Sequence, residues 1–181
     1  MTKASPRIYV ACLAAYTAGY LHGEWIDATL DPDELAEEIQ AMLKESPARG
    51  EEFAIHDTDD FCGYDVHEYE SLKRVSQIAQ LIAEHGEAAA GFLAVGYGED
   101  DELEQAFEDR YCGEWDSLAA YAEDLYGDVV NTALKNVERD LCGLRPYLQF
   151  DYKSMAFAWQ ANGDYFTVDG KNGVHVFLSR A

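Results

Sequence analysis

The chain is poor in positive charge: 13 lysines and arginines stand against 35 aspartates and glutamates, a net charge of −22. That imbalance disfavours nucleic acid and anionic membranes as partners and favours a basic protein surface. Long apolar runs are also lacking, and no stretch approaches the roughly 18–20 uninterrupted apolar residues of a membrane span. No charged segment followed by an apolar one precedes the first predicted strand, so no secretory signal and a cytoplasmic location are expected. Cysteine is scarce. Cys12, Cys62, Cys112 and Cys142 lie far apart with no CxxC pair, the pattern of reduced thiols. What the chain has in quantity is core material: 48% hydrophobic and 13% aromatic residues exclude a disordered acidic tail and suffice for a compact core or for small modules in series.

Motifs for chemistry are missing by spacing. Asp57, Asp59 and Asp60 resemble the start of a calcium loop, but that loop needs an oxygen ligand and a glycine where Phe61 and Cys62 stand. The histidines His22, His56, His67, His85 and His175 form no HExxH and no Cys-His cluster, so neither metal nor cofactor is expected. Gly96-Tyr97-Gly98 lacks the third glycine and the preceding strand of a dinucleotide fingerprint and reads as a turn. Carboxylate pairs carry no signal here, because among so many acids some pair falls at any given distance by chance. His56-Asp57 near Cys62 can be drawn as a thiol dyad, yet a strand-end histidine and a small thiol account for it.

Periodicity predicts an α+β chain of three small modules. In the first, residues 1–66, strands are expected at Arg7–Leu13, Leu21–Thr29 and Glu52–His56 around a helix. Asp31-Pro32-Asp33-Glu34 is a strong start for that helix: a cap, proline at the first position and an acid three after the cap. Leu35, Ile39, Met42 and Leu43 then recur at helical spacing, giving a ββαβ unit. The second module, 67–117, reads as helical, with Leu72, Val75, Ile78, Ala79 and Ile82 on one face, Gly86 as a stop, and Leu103, Ala106 and Phe107 in a later helix. The third, 118–181, reads as helices and a hairpin. Asp116 is its expected N-cap, a further amphipathic stretch runs through Leu134, Val137 and Leu141 to Gly143, and Asp151–Trp159 is helical. Lys171-Asn172-Gly173 turns the final hairpin.

The charge is unevenly spread. Residues 1–66 hold 14 acids and 4 bases, 67–117 hold 13 and 3, and 118–181 hold 8 and 6, so the net charges are −10, −10 and −2. Acids on a helix usually mark its solvated face, but that does not explain a net of −22. Salt adaptation charges a surface uniformly, and the last third departs from that. Duplex DNA carries one charge per about 1.7 Å of axis, so 22 charges correspond to roughly 37 Å, or about 11 base pairs. A sphere of this chain length has a diameter of about 40 Å. The supply of charge is thus of the right order for a DNA-like surface. The expected display comprises Asp31, Asp33, Glu34, Glu37, Glu38, Glu45, Asp57, Asp59, Asp60 and Asp65, then Glu99, Asp100, Asp101, Glu102, Glu104, Glu108 and Asp109. Self-association is least opposed in the third module, where Leu118, Tyr121, Leu125, Tyr126, Tyr147 and Tyr152 are candidate dimer contacts.

Several segments, in order, resemble one family. They are Arg7-Ile-Tyr-Val-Ala-Cys-Leu-Ala-Ala-Tyr, Leu21-His-Gly-Glu-Trp-Ile-Asp-Ala, Glu51-Glu-Phe-Ala-Ile-His-Asp, Tyr111-Cys-Gly-Glu-Trp-Asp-Ser-Leu with Tyr121-Ala-Glu-Asp-Leu, and Asp164-Tyr-Phe-Thr-Val with Val174-His-Val-Phe. Together they resemble the ArdA antirestriction family over about residues 6–179. The resemblance implies an elongated, curved, dimeric protein of three small domains, borne on a mobile genetic element. It implies no catalytic residues and no cofactor. Such a protein occupies the DNA-binding groove of the specificity subunit in type I restriction-modification complexes, at the methyltransferase core. The family's antirestriction motif falls on about Asp116 to Tyr126, near its dimer interface. In one segment the chain departs from the pattern, with Gln149 and Lys153 standing where relatives are more acidic. A DNA-mimic protein aimed at a nucleoid protein or transcription factor is the alternative on charge alone. An enzyme built on the first module needs a cleft that holds a carboxylate or thiol of perturbed pKa.

Overall fold

The computed structural model describes residues 4–97, 102–140, 143 and 145–180. It is a mixed α+β chain with two small antiparallel sheets, divided into two compact units, Met1–Phe107 and Glu108–Ala181. The expected boundary after residue 66 falls inside the first unit.

In the first unit, β1 (Arg7–Cys12), a short helix α1 (Leu13–Thr17), β2 (Gly23–Asp27), α2 (Pro32–Lys44) and β3 (Phe53–Asp59) follow in order. The sheet runs β2-β1-β3. Ile8, Val10 and Ile26 project from one face and are buried, matching the buried Leu35, Ile39, Met42 and Leu43 of α2. Helix α2 begins where its sequence says it should. Asp31 and Glu34 form a capping box, in which the Asp31 N–H donates to the Glu34 carboxylate at 3.3 Å, and Pro32 opens the first turn. At the other end, His22 Nε2–H donates to the Met42 carbonyl at 2.8 Å, satisfying one of the last-turn acceptors. Next come α3 (Leu72–His85), α4 (Glu87–Ala94) and α5 (Leu103–Glu108). Helix α3 docks on the link before α2 through its buried Ser76, whose hydroxyl donates to the Leu30 carbonyl at 2.6 Å, and through Gln80, which donates to Thr29. Phe92 of α4 and Phe107 of α5 meet edge-on at 5.3 Å, both fully buried.

The second unit holds β4 (Tyr111–Trp115), α6 (Leu118–Asp140), a 3-10 turn (Arg145–Tyr147), α7 (Tyr152–Asn162), β5 (Tyr165–Gly170) and β6 (Gly173–Leu178), with the sheet in the order β4-β6-β5. Three local expectations are corrected here. Tyr111–Trp115, placed in the helical middle, is a strand paired with β6. The helix after it is capped by Ser117, whose hydroxyl accepts from the Ala120 N–H at 3.1 Å, not by Asp116. The two helical stretches expected there are one helix of 23 residues that runs through Gly127. Lys171 and Asn172 make the hairpin turn, with Gly170 opposite Gly173. The buried Leu118, Ala156 and Val176 form one core cluster, ringed by Cys112, Trp115, Tyr121, Trp159, Tyr165 and Val174, and Ala122 and Phe177 are buried as well. Burial first, then the Cys112 thiol and Tyr165, push the Tyr121 phenol above its ordinary range.

Asp151 caps α7. Its carboxylate accepts from the Ser154 N–H at 3.0 Å and from the Ser154 hydroxyl at 2.7 Å, and these bonds hold it below the usual carboxylate range. A carboxylate whose folded pKa lies under its unfolded value of about 3.9 stabilises the fold above that value, and the contribution disappears as pH falls through the folded value. Asp151→Ala is therefore expected to lower the thermal midpoint near pH 7. The gap to wild type should narrow below about pH 4. Thermal melts followed by circular dichroism across pH 3–7 check this, and a gap that does not change with pH overturns the capping role.

Candidate functional site

Every acidic side chain in residues 4–97, 102–137 and 146–180 is exposed except that of Glu70, which is half-buried. Burial of a carboxylate costs several kcal/mol unless it is paired, so in a chain with so few bases the acids have to stay outside. Their positions follow from the elements that carry them. Asp31 caps α2, Asp33, Glu34, Glu37 and Glu38 occupy its solvent face, and Glu45 sits at its C-terminal cap. Asp57 and Asp59 stand on β3. Asp60 follows at φ +62° and accepts from the Ser5 N–H, and Asp65 lies in the loop beyond. Glu104 and Glu108 are on α5, flanked by Glu102 and Asp109. Glu99, Asp100 and Asp101 lie outside the described residues.

Strand register gathers a further group. Arg7 lies between Asp27 and Asp59, and Tyr9 lies between Trp25 and Asp57. A β-bulge after Tyr9 sets this registration on β3 and leaves His56 as the extra residue. Asp27, Asp57 and Asp59 therefore share the sheet face opposite the buried one, with Trp25 and Tyr9 between them. Gly23 makes the arrangement sterically feasible: a Cβ there would come within 2.9 Å of the Tyr9 ring and 2.5 Å of the Val10 carbonyl. The carboxylates of this face and those of α2 point to opposite sides of the α/β layer, so the structure does not bring these two groups onto one face. Asp27 was absent from the expected display, as were the equally exposed Glu24, Glu51, Glu52, Glu84 and Glu87. Alternation along β2, which puts Asp27 on the same side as Trp25, was the available signal.

The candidate dimer residues divide. Leu118 is buried and Tyr121 packs against the core cluster of the second unit. Leu125, Tyr126 and Tyr147 are exposed, and Tyr152 is half-buried. Sequence reasoning missed Val129, 66% exposed and one turn beyond Leu125 on α6. Cys12 is buried, Cys112 half-buried and Cys62 exposed, while Cys142 lies outside the described residues. Burial, then the charges of Asp60 and Glu87, push the Cys62 thiol up, against nucleophilic use. Among the described residues no group of three or more His, Cys, Asp or Glu is arranged to hold a metal ion, and no helix is long and apolar enough to cross a membrane.

Fold and surface together define an acidic α+β protein that turns its carboxylates to solvent. The chain belongs to the ArdA antirestriction protein family, whose model matches residues 8–173. No curated protein matches it.

The display strains α2. Asp33 and Glu37, and Glu34 and Glu38, are like charges one turn apart, each pair costing about 0.2–0.5 kcal/mol, and Lys44, in the last turn, is at the i+3 or i+4 position of none of the four. The double variant Glu37→Gln, Glu38→Gln is expected to be more stable than wild type by about 0.5–1 kcal/mol at low salt, with the gain shrinking at high salt. Urea unfolding at two ionic strengths checks it, and an equal or lower stability contradicts this account.

Proposed function

We propose that this antirestriction protein works as a DNA mimic. Its carboxylates occupy the DNA-binding groove of a type I restriction-modification complex, at the specificity subunit of the methyltransferase core. The observation that carries the reading is the near-complete exposure of the acids in a chain of net charge −22. A groove that reads DNA gains affinity by pairing lysine and arginine with phosphates. Carboxylates held on a folded scaffold offer the same pairing without the cost of bending a duplex. No catalytic step and no cofactor is assigned, because occupation alone blocks the groove. The protein acts in the cytoplasm, where incoming DNA meets restriction enzymes. In this reading residues 1–66 and 67–117 carry the charge, and 118–181 joins two copies.

The deciding experiment is competition: purified protein against fluorescent duplex DNA for a type I methyltransferase core. Displacement supports the reading. Failure to bind that complex, with capture of a nucleoid protein or transcription factor instead, replaces it. Neutralising one α2 block (Asp33→Asn, Glu34→Gln, Glu37→Gln and Glu38→Gln together) should weaken inhibition and flatten its salt dependence, whereas each single change should shift it by less than about fivefold, the scale of one exposed charge pair. One carboxylate whose loss abolishes inhibition in a folded protein contradicts a distributed display.

For self-association, Leu125 and Val129 lie one turn apart on the exposed side of α6, in the least charged third of the chain. Leu125→Glu with Val129→Glu is expected to convert a dimer to a monomer in sedimentation velocity, with circular dichroism unchanged. A variant that still sediments as a dimer removes α6 from the interface.

A further inference from the structure

Trp25 and Tyr9 stand side by side on the outer face of the first sheet. Trp25 is 39% exposed, and Tyr16 on α1 and Tyr20 and Leu21 in the connection from α1 to β2 are exposed as well. Tyr9 and Trp25 meet with ring centroids 5.5 Å apart, and Tyr16 meets His56 edge-on at 5.3 Å. Asp27, Asp57 and Asp59 border Trp25 and Tyr9 through the strand register already described. Apolar surface of this kind, rimmed by charge, marks an interaction site.

The chemistry of the face selects its occupant. Aromatic rings also stack on nucleic-acid bases, but three carboxylates beside them repel the accompanying phosphates. A planar guanidinium suits both components: it stacks on an indole face and donates paired hydrogen bonds to a carboxylate. A lysine ammonium is more strongly hydrated and cannot stack in this way. The chain supplies an example of the fit. The Arg7 guanidinium carbon lies 5.5 Å from the centroid of the Trp25 ring, and the same group pairs with Asp59.

We propose that this face is an arginine-reading surface, on which Trp25 and Tyr9 stack guanidinium groups of a basic partner while Asp27, Asp57 and Asp59 pair with their charge. Arg7 occupies the position in the free protein and yields it on binding. The inference rests on the DNA-mimic reading for the identity of the partner, and it adds to that reading a base-like stacking component beside the phosphate-like carboxylates. Arginines that reach bases in a DNA-binding groove are the groups this face would engage.

The test uses the full chain with hexaarginine and hexalysine peptides, equal in charge, and with a type I methyltransferase core. Wild type is expected to bind hexaarginine more tightly than hexalysine. Trp25→Leu keeps apolar area but removes the indole. It should weaken hexaarginine binding about three- to tenfold, the scale of one cation–π contact, and leave hexalysine nearly unchanged. Tyr9→Leu serves in its place if Trp25→Leu does not fold by circular dichroism. Arg7→Ala should bind hexaarginine more tightly than Arg49→Ala, which removes the same charge from an exposed position elsewhere in the unit. Equal affinity of wild type for the two peptides overturns the proposal, as does a folded Trp25→Leu that keeps the preference. If the peptides discriminate as expected but the methyltransferase is not bound, the face stands and the assigned partner falls. If the methyltransferase is inhibited equally by wild type and Trp25→Leu, the face falls and DNA mimicry stands.

Discussion

The structure depends on keeping 35 carboxylates out of a core while 13 bases are too few to neutralise them. Like charges at close range oppose compaction, and stability rests on apolar burial. Helix α2 shows the compromise within one element. Leu35 and Ile39 are buried on one side, Asp33, Glu34, Glu37 and Glu38 are exposed on the other, and only the capping box and the helix dipole offset the repulsion. The second unit, with less charge to hold apart, surrounds its core cluster of Leu118, Ala156 and Val176 with half-buried aromatics. Rings suit such a core because they bury much area per residue and tolerate a wet edge.

Much of the fold was legible because several signals agreed at the same residues. Asp31, Pro32 and Glu34 precede a helical stripe, and α2 begins there. The helix expected from Asp151 is α7, whose first turn Asp151 caps by accepting from Ser154 and whose end Gly163 closes in the left-handed conformation. Tyr111–Trp115 was not legible, because Gly113 at φ +99° interrupts the pairing with β6 and the segment shows no alternation. The two helical stretches expected after Asp116 are one helix through Gly127, since one helix-interior glycine costs only about 1 kcal/mol. The acidic nature of the surface needed no structure. The grouping of Asp27, Asp57 and Asp59 did, because a one-residue slip at the bulge after Tyr9 would send Asp57 and Asp59 to the other face.

That dependence on register bears on selectivity. Charge alone is a poor discriminator: any basic groove attracts a chain of −22, and the attraction is screened over about 8 Å in physiological salt. DNA itself combines a phosphate backbone, which sets affinity, with base edges and faces, which set specificity. A protein that displays carboxylates only would reproduce the first half and would be captured by many DNA-binding proteins. Rings held between carboxylates at sheet spacing supply a contact that a lysine-lined surface cannot match and an arginine-bearing one can. The stacking contact is short-ranged and survives salt, whereas exposed charge pairs weaken with it. A surface of both kinds can therefore be drawn to its target over a distance by charge and be retained there by geometry, which separates association rate from residence time.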